Sequence, residues 1–585
     1  MTGPETDSGL KITQRSEEVE EGLILLHLHF ESEEERIFPP VTYRILVPSS
    51  EIRYLWNPKI HLIKALNLDW FLGLKKTSGF TGAPVQCLIG AGDENRAVLG
   101  LSDVQSTLEF WTYPVEETAE YAFELKLFEE EAVSRKAYDI ALRLDMRQIP
   151  YYEALKEMSD WWAGQECSRP AAVPAAAREP MYSTWYSFHQ EVGEEALLNQ
   201  CRLSKEYGCR TLLLDDGWQT DDSGRGYTYC GDWEPAQSKI PDMKGFVERV
   251  HGLGMKVVTW YSVPFIGVKS RNFERFKDML IDPADERGWH VLDPRYPEVR
   301  EFIVSLYEKA LEEWDFDGFK LDFVDEFVVT TFSGEKEDPR RDFISFAEAA
   351  DCLMKECIRR LKARKPDILL EFRQTYNGPL MRSYGNIFRA VDCPLGDLEN
   401  RLRVTDIRLL AGNSAVHSDM LMWHTEDTPE SAAMQIIGVL FSVPQISMRL
   451  DCLREEHKKM LAFYCGLWKQ YQDAFINGTF EPGNPSGRYS VIRGSYGKRL
   501  VCTYFAEEVI RVDRSWEEMV YVNGSGGNRL YLAGDGGTLG YEAAVYDCMG
   551  NQTFAGTVRL SDGVTDIPVP VSGAVVMKQA GDTGC

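Results

Sequence analysis

From Met181 to about residue 450, short apolar segments alternate with amphipathic stretches of helical period. Strands that alternate with helices predict βα units and a parallel sheet. Eight units over roughly 280 residues have the size of a (β/α)8 barrel. A doubly wound sheet would carry a glycine-rich phosphate turn after its first strand, and the sequence has none there. The predicted barrel strands are Tyr182–Tyr186, Thr211–Asp215, Lys256–Tyr261, Gly318–Asp322, Ile368–Phe372, Ile387–Val391, Ala415–Asp419 and Pro444–Ser447.

The segments on either side of this region show strand patterns alone. Up to about residue 150, short alternating segments are separated by turns, which is the pattern of an antiparallel sandwich. The tail from about Asn477 is rich in Gly, Val, Tyr and Thr and predicts a small all-β domain. We therefore predict an α/β fold, with a (β/α)8 TIM barrel between an N-terminal β-sandwich and a small C-terminal all-β domain. The predicted parts are 1–150 for the sandwich, 151–180 for a helix and an Ala/Pro linker, 181–475 for the barrel and 476–585 for the C-terminal domain.

Composition narrows the classes of function. The chain has 585 residues and a net charge of -27, which argues against nucleic acid or an anionic membrane as a partner. The polar N-terminus has no apolar signal region, and no apolar run is long enough to span a membrane. The 13 cysteines have no framework spacing, which favours reduced thiols and a cytoplasmic location.

The ends of the predicted strands hold the candidate site, because a barrel carries its active site at the carboxyl ends of its strands. Carboxylates can accept paired hydrogen bonds from sugar hydroxyls, and tryptophan rings can stack on the apolar face of a pyranose. A mouth of this composition therefore predicts a sugar-binding site. The candidates at the strand ends are Trp185, Asp215, Asp216, Trp218, Trp260, Lys320, Asp322, Arg373 and Asp392.

Asp322 and Asp392 are the candidate catalytic pair. They end strands four and six, so they can face each other across the mouth, and glycosidic cleavage needs two opposed carboxyl groups. Lys320 lies on the same side of strand four as Asp322 and would keep it ionised, as a nucleophile requires. We expect burial or a neighbouring carboxylate to raise the pKa of Asp392. Arg389, three residues earlier, is expected to face elsewhere, and it would lower that pKa if it did not.

Simpler readings of the same residues stay open at this point. Lys320 and Asp322 can form a structural ion pair at a strand end. Asp215 and Asp216 can cap a turn, and the tryptophans can belong to the core. The histidines, among them His417, are expected to be structural or to lie at the rim, and no metal or cofactor is predicted.

Four motifs in order carry a family resemblance: Leu213–Trp218, Gly231–Trp233, His251–Lys256 and Phe319–Asp322. Over roughly residues 180–450 the chain resembles glycoside hydrolase family 36, the retaining α-galactosidases, which is related to families 27 and 31. The resemblance implies Asp322 as the nucleophile and Asp392, about 70 residues later, as the acid/base.

The resemblance also implies the roles of the neighbouring polar residues. Asp215 and Asp216 would bind the 4- and 6-hydroxyls of galactose, and Lys320 would lie near the 2- and 3-hydroxyls. It implies the same architecture of sandwich, barrel and C-terminal β-domain. The predicted function is thus a retaining exo-α-galactosidase, with an oligosaccharide or glycoside as its substrate and no cofactor.

Two departures from the family pattern leave alternatives. The family's Cys-Ser-Gly-Gly-Gly-like run at the end of strand five is replaced by the segment Glu371–Gly378, which includes Arg373. Strand three continues into Ser262-Val263-Pro264 and so lacks two acidic residues that the family pattern carries there. The sugar's carbon 2 is therefore open, and an α-N-acetylgalactosaminidase or α-glucosidase is an alternative. A catalytically silent sugar-binding barrel is another, and a shorter sandwich leaves the homo-oligomeric state open.

Overall fold

A computed structural model describes residues 9–67, 76–129, 133–284, 286–328, 338–373, 376, 378–512, 516–534, 539–561 and 563–580. The predicted arrangement of sandwich, barrel and C-terminal β-structure is confirmed. The strands of the N-terminal part are β1 (Lys11–Glu20), β2 (Leu23–Ile37), β3 (Val41–Pro48), β4 (Tyr54–Trp56), β5 (Lys76–Thr77), β6 (Val85–Ile89), β7 (Asn95–Leu101), β8 (Leu108–Val115), β9 (Glu120–Leu127) and β10 (Ser134–Asp145).

Two antiparallel sheets form the N-terminal sandwich. One has the order β1-β2-β10-β7-β6-β4 and the other the order β3-β9-β8-β5. Their strands alternate between buried and exposed residues, as β3 shows over its whole length. Phe30 and Leu142 of the first sheet share one apolar core with Phe110 and Phe123 of the second. The two sheets therefore pack face to face.

The barrel strands alternate with helices along the chain. The strands between residues 181 and 446 are β11 (Met181–Ser183), β12 (Thr211–Leu214), β13 (Lys256–Ser262), β14 (Phe265–Gly267), β15 (Trp289–Val291), β16 (Gly318–Asp322), β17 (Leu369–Arg373), β18 (Ile387–Arg389), β19 (Ala415–His417) and β20 (Gln445–Ile446). The helices are α1 (Tyr151–Ala163), α2 (Trp185–Phe188), α3 (Glu194–Glu206), α4 (Met243–Gly252), α5 (Phe273–Phe276), α6 (Pro297–Trp314), α7 (Phe346–Arg364), α8 (Met381–Tyr384), α9 (Asp397–Ala411), α10 (Pro429–Ile437) and α11 (Glu455–Gln470).

Eight of these strands form a parallel sheet in the order β19-β18-β17-β16-β13-β12-β11-β20, while β14 and β15 form a separate two-stranded antiparallel sheet. The sheet closes where Val443 N donates to Val416 O at 2.8 Å and Ser418 N donates to Val443 O at 3.0 Å. The fourth strand has its predicted bounds. The first is shorter than predicted, because the chain turns into the one-turn helix α2 at Trp185. None of the helices in the described part of the chain is long and apolar enough to cross a membrane.

The interior of the barrel is layered, and its lower layer is apolar. Gly318 sits in this region, where a Cβ atom would meet the carbonyl oxygen of Leu369 at 2.1 Å. A side chain at position 318 would therefore push β16 away from β17. We call the following buried cluster the lower layer: Ala177, Met181, Leu213, Val258, Leu369, Ile387 and Ala415.

The C-terminal part is all-β, as predicted. It forms a seven-stranded sheet and a three-stranded sheet. The predicted domain boundaries at residues 150, 180 and 475 stay predictions. The strands are β21 (Glu481–Gly483), β22 (Val491–Tyr496), β23 (Arg499–Tyr504), β24 (Val509–Val512), β25 (Glu518–Asn523), β26 (Arg529–Gly534), β27 (Leu539–Tyr546), β28 (Gln552–Leu560), β29 (Val564–Pro568) and β30 (Ala574–Gln579).

One buried carboxylate joins the three parts. Asp406, on α9 of the barrel, accepts hydrogen bonds from Trp56 Nε1 at 2.9 Å and from Lys64 Nζ at 2.7 Å in the N-terminal part. Its Oδ2 lies 2.8 Å from His61 Nδ1, and Tyr489 of the C-terminal part donates to it at 2.6 Å. Burial alone would raise the pKa of Asp406, but Lys64 and His61 lower it below its ordinary value. Asp406 is therefore an ionised group shared by all three parts.

Candidate active site

Strand alternation brings Lys320 and Asp322 to the same side of β16, inside the mouth of the barrel. Lys320 Nζ lies 2.7 Å from Asp215 Oδ2 and 4.0 Å from Asp322 Oδ2. All three side chains are at most 8 % exposed. Burial alone would lower the pKa of Lys320, but Asp215 and Asp322 raise it above its ordinary value, so the lysine is positively charged. The three residues form one buried network.

Both oxygens of Asp322 have donors. Oδ1 accepts from Phe323 N at 2.8 Å and from Tyr376 OH at 3.2 Å, and it forms an ion pair with Arg373, whose Nε lies 2.7 Å away. Oδ2 accepts from Trp260 Nε1 at 3.0 Å. Phe323 has a φ of 62°, a left-handed conformation that is strained for a phenylalanine, and this turn aims its N–H at the carboxylate. The backbone at the end of β16 is thus shaped around the acid.

These donors fix the charge of Asp322. Burial alone would raise its pKa, but Arg373, Lys320 and the hydrogen bond from Trp260 lower the pKa to about 2. Asp322 is therefore ionised at neutral pH. Lys320 was predicted to hold this charge, and the structure adds Arg373 as the closer cation.

Asp392 lies three residues after Arg389, the last residue of β18, and 42 % of its side chain is exposed. Its Oδ1 accepts from Arg389 Nη2 at 2.9 Å. Burial would raise its pKa, but Arg389 and Lys320 lower it below its ordinary value. The expected rise in the pKa of Asp392 was wrong, and so was the expectation that Arg389 faces elsewhere, because β18 ends at Arg389 and the chain then bends.

Arg389 connects Asp392 to two carboxylates that were not predicted to share a cation. It pairs with Asp419, and its Nε lies 3.4 Å from Glu371 Oε1. Asp419 also accepts from Tyr186 OH at 2.9 Å. Arg389, Glu371 and Asp419 are each about 1 % exposed or less. The only sequence signal for this cluster was that its members lie at or near the ends of three barrel strands.

The two aspartates that follow β12 point to different partners. Asp215 pairs with Lys320, whereas Asp216 accepts from Gln190 Nε2 at 2.6 Å and from Gln219 Nε2 at 2.7 Å. Burial raises the pKa of Asp216 to about 6, although both glutamines partly oppose the rise. Gly217 makes the turn possible: its φ is 113°, and a Cβ would lie 2.4 Å from Gln190 Cα.

The three candidate tryptophans occupy different environments. Trp260 contacts Asp322 directly, and Trp185 is half-buried beside His189, with ring centroids 4.6 Å apart. Trp218 is 0 % exposed, and its Nε1 donates to Trp260 O at 3.1 Å. Its ring packs on Tyr261 in the core. The prediction of Trp218 as a sugar contact is therefore corrected, because no face of its ring reaches the mouth.

An aromatic wall that sequence reasoning missed borders Asp322. Tyr227, in the long loop after β12, stacks on Trp260 with ring planes 25° apart and lies 5.1 Å from the ring of Phe323. Trp289 packs edge-on against Tyr227 at 5.1 Å. Burial, Asp216 and Asp322 raise the pKa of Tyr227, so its hydroxyl stays protonated. Tyr227 does not lie at a strand end, so no sequence pattern pointed to it.

The segment that departs from the family pattern lies beside Asp322. Arg373 ends β17 and pairs with Asp322, and Tyr376 lies against both residues. Gln374, Thr375 and Asn377 of the same segment fall outside the described residues. Glu371, at the start of this segment, is buried inside the barrel and accepts from Gln445 Nε2 at 2.5 Å. His417 is fully buried and bonded to Ala177 O at 2.7 Å, a structural position as predicted.

Comparison with known proteins places the chain in a family context. Residues 171–377 match the family model described as melibiase. The α-galactosidase AgaA of Geobacillus stearothermophilus is 26% identical over 142 residues, which are 23% of this chain and 19% of that protein. An enzyme of Flavonifractor plautii named as A type blood α-D-galactosamine galactosaminidase is 22% identical over 174 residues, 26% of this chain and 15% of that protein. The matched segments are thus only 19% and 15% of the length of these two relatives.

Solved structures show the same fold over nearly the whole chain. The family 36 α-galactosidase AgaA aligns with a TM-score of 0.66 at 16% identity, covering 98% of this chain and 82% of that one. The α-galactosidase of Lactobacillus brevis aligns with a TM-score of 0.66 at 12% identity, covering 99% and 86%. Together with the family match, these similarities confirm the predicted resemblance and the predicted fold.

Proposed function

We propose that this chain, whose resemblance to glycoside hydrolase family 36 is confirmed, hydrolyses terminal α-galactosyl residues with retention of configuration. One observation carries the proposal. Asp322 is held ionised at the end of β16, and its charge partly opposes the lowering of the pKa of Asp392, a second carboxylate with 42 % of its side chain exposed. An ionised carboxylate opposed by a second, accessible one is the pair that retaining cleavage requires.

In the first step, an oxygen of Asp322 attacks the anomeric carbon and the glycosidic C–O bond breaks. Asp392, in its protonated form, gives its proton to the leaving oxygen, so the aglycone departs as an alcohol. The sugar is then an ester of Asp322. Arg389 lowers the pKa of Asp392, so Asp392 must take up a proton before this step. A bound sugar excludes water from the mouth and raises the pKa of Asp392 toward that state.

In the second step, Asp392 is a carboxylate and accepts a proton from water. The water oxygen bonds to the anomeric carbon, the ester bond to Asp322 breaks, and Asp322 leaves with the bonding pair as a carboxylate. The donors around Asp322 stabilise the charge that returns to it. Two inversions at the anomeric carbon give net retention.

Polar and aromatic groups around this pair suit a neutral hexose. Lys320 can donate a hydrogen bond to one hydroxyl of the sugar, and Asp215 can accept one from a neighbouring hydroxyl. Asp216, the next residue in the chain, offers a second carboxylate acceptor. Tyr227 and Trp260 supply an aromatic face beside Asp322. The relatives named as α-galactosidases, and the AgaA variants solved with raffinose and stachyose, support galactose as the sugar. The predicted cytoplasmic location is part of this proposal.

Arg373 is compatible with a second candidate function, an α-N-acetylgalactosaminidase. The nucleophile attacks the anomeric carbon, and carbon 2 of the sugar is bonded to the anomeric carbon. A side chain that contacts the nucleophile is therefore close to the substituent at carbon 2. Arg373 lies 2.7 Å from Asp322 Oδ1 and can only donate hydrogen bonds, so it suits a hydroxyl or an acetamide carbonyl at carbon 2. A 2-ammonium group would face a guanidinium, which argues against the galactosamine named for the Flavonifractor relative.

A panel of p-nitrophenyl glycosides tests the proposal. We expect release of nitrophenol from the α-galactoside or from its 2-acetamido analogue, and none from the α-galactosaminide, the α-glucoside or the β-galactoside. Turnover of the 2-acetamido substrate alone would replace the first candidate with the second. No turnover of any α-glycoside would contradict the enzymatic function and leave a sugar-binding barrel.

Proton NMR of the early product tests the mechanism separately. We expect the α-anomer of the free sugar to appear first and to mutarotate slowly afterwards. If the β-anomer appeared first, the reaction would invert configuration, and Asp322 would not form an ester.

A further inference from the structure

The proposed function leaves one partly buried acidic group near Asp322 without a role. Asp325 lies on the short 3-10 helix Val324–Glu326 that follows β16, with 25% of its side chain exposed. Its Oδ1 accepts from Tyr376 OH at 3.0 Å and lies 3.5 Å from Arg373 Nη2. These are two of the residues that also contact Asp322. Asp322 and Asp325 therefore share the same two donors.

Tyr376 can serve only one of the two carboxylates at a time. Its oxygen accepts from Phe323 N at 2.7 Å and from Arg373 Nε at 3.0 Å, which occupies both lone pairs. The single hydroxyl proton then has two acceptors within reach, Asp322 Oδ1 at 3.2 Å and Asp325 Oδ1 at 3.0 Å. Burial and the nearby carboxylates raise the pKa of Tyr376, so this proton stays on the phenol.

Arg373 likewise contacts both carboxylates. Its Nε lies 2.7 Å from Asp322 Oδ1, and its Nη2 lies 3.5 Å from Asp325 Oδ1. The guanidinium also lies over the ring of Phe323, 4.8 Å from the centroid, and is 18% exposed. A cation buried to this degree needs a carboxylate partner in every state of the reaction.

Formation of the glycosyl ester removes the charge of Asp322. The ester oxygens are neutral and are weaker acceptors than a carboxylate. Without a second acid, Arg373 would then be left as an unpaired buried cation, which would raise the energy of the ester and of the transition state that leads to it. Asp325 is already in contact with both donors and forms no bond to the sugar in this step.

We propose that Asp325 is a positioning residue that takes over Arg373 and Tyr376 when bond formation to the sugar consumes the charge of Asp322. The inference rests on the proposed function, because it requires an ester on Asp322. Asp325 touches no reacting atom. It lowers the energy of the ester relative to the free carboxylate, so its loss slows the formation of the ester and does not slow its hydrolysis.

The test separates these two steps with the Asp325→Asn variant of the full chain. The probe is 5-fluoro-α-D-galactosyl fluoride, which forms a slowly hydrolysed ester, and intact-mass spectrometry measures the rate of labelling. After removal of the probe, the return of activity measures hydrolysis of the ester. For Asp325→Asn we expect labelling to be slower by about tenfold or more, with reactivation unchanged or faster.

Two variants serve as controls. Glu326→Gln removes the same charge one residue further along, where the partner is Arg287 at 3.4 Å, and should label at the rate of the unmodified chain. Asp325→Glu keeps the charge and should recover part of the labelling rate. If Asp325→Asn does not fold, as judged by its thermal unfolding, Asp325→Ser provides a second charge-removing variant.

The outcomes distinguish this inference from the proposed function. If the unmodified chain formed no adduct, the ester mechanism and the inference would both be overturned. If the unmodified chain were labelled and Asp325→Asn were labelled equally fast, only the inference would be wrong. Equal slowing of labelling and reactivation would also overturn it, because a general loosening of the site affects both steps.

Discussion

The two ends of the barrel interior are built from opposite kinds of side chain. The lower layer is wholly apolar, whereas the interior above it holds Lys320, Glu371 and Arg389, each at most 5% exposed. Strand β17 shows the change within five residues, since its inward positions are Leu369, Glu371 and Arg373 in order. The same strand thus contributes to a core at one end and to a charged site at the other.

The two ends of the barrel interior therefore contribute differently, the lower layer to stability and the charged upper part to the site. Burial of apolar side chains in the lower layer stabilises the barrel without any need for partners. Above it, each buried charge costs desolvation energy and is tolerated because it is paired. Arg389 is a single cation that pairs with three carboxylates, those of Glu371, Asp392 and Asp419. The comparison predicts that changes at the two ends have different readouts, either activity or unfolding.

The largest expected effect on activity is at the upper end, with Asp322→Ala. Loss of the nucleophile should lower kcat on the order of 10⁴-fold while the chain still folds. Steady-state turnover of the preferred nitrophenyl glycoside measures the loss, and thermal unfolding checks the fold. Added azide should restore turnover and give a glycosyl azide of inverted configuration. An active Asp322→Ala variant without azide would mean that another residue is the nucleophile.

Asp392→Ala should have a smaller effect that depends on the leaving group. An unactivated alkyl α-galactoside needs a proton on its leaving oxygen, so its kcat/KM should fall by about 10²–10⁴-fold. An activated nitrophenyl leaving group needs little proton donation, so the loss there should be much smaller. Comparing kcat/KM for the two substrates measures the difference. Equal losses on both would assign the acid role elsewhere.

At the lower end, Ile387→Ala should destabilise the fold and leave the chemistry unchanged. Ile387 is fully buried in the lower layer, so a cavity there should lower the free energy of unfolding by about 2–5 kcal/mol. Urea unfolding measures this loss, and KM of the folded variant should stay the same. Ile344→Ala, at a position 74% exposed, is the matched control and should change stability by less than about 0.5 kcal/mol. A raised KM for Ile387→Ala would break the separation between the two ends.

The smallest effect concerns His417, which lies between the two ends. Burial lowers its pKa from 6.5 to about 4, so it is neutral in the folded chain. The unfolded chain takes up a proton below pH 6.5, so stability is lost as pH falls from there toward pH 4. His417→Gln removes this contribution. The variant's disadvantage in unfolding free energy should therefore shrink by about 2 kcal/mol between pH 7 and pH 4.5. A disadvantage independent of pH would show that His417 titrates normally.

The fold was predicted from the periodicity of apolar residues, and the site residues were predicted from their positions at the ends of strands. Gly318–Asp322 has its predicted bounds, and alternation correctly placed Lys320 beside Asp322. It failed where the chain leaves the regular strand. Residues three apart on a strand face opposite sides, but β18 ends at Arg389 and the following bend brings Asp392 back to it.

Side chains beyond a turn were the other source of error. Trp218 follows Gly217, whose φ of 113° directs the chain away from the mouth and the indole into the core. Tyr227 comes from a loop with no periodicity, so only the three-dimensional packing shows that it borders Asp322. The roles assigned to the individual site residues stay predictions until the variants above are measured.

Asp406 has a consequence for how such a chain can be divided. Its carboxylate accepts from Trp56 and Lys64 before the barrel and from Tyr489 after it. Expression of the barrel without either flank would leave a buried anion short of donors, at a cost of several kcal/mol. The barrel is therefore a poor module for transplantation or domain shuffling. Selection and protein engineering alike have to treat the three parts as one inherited unit.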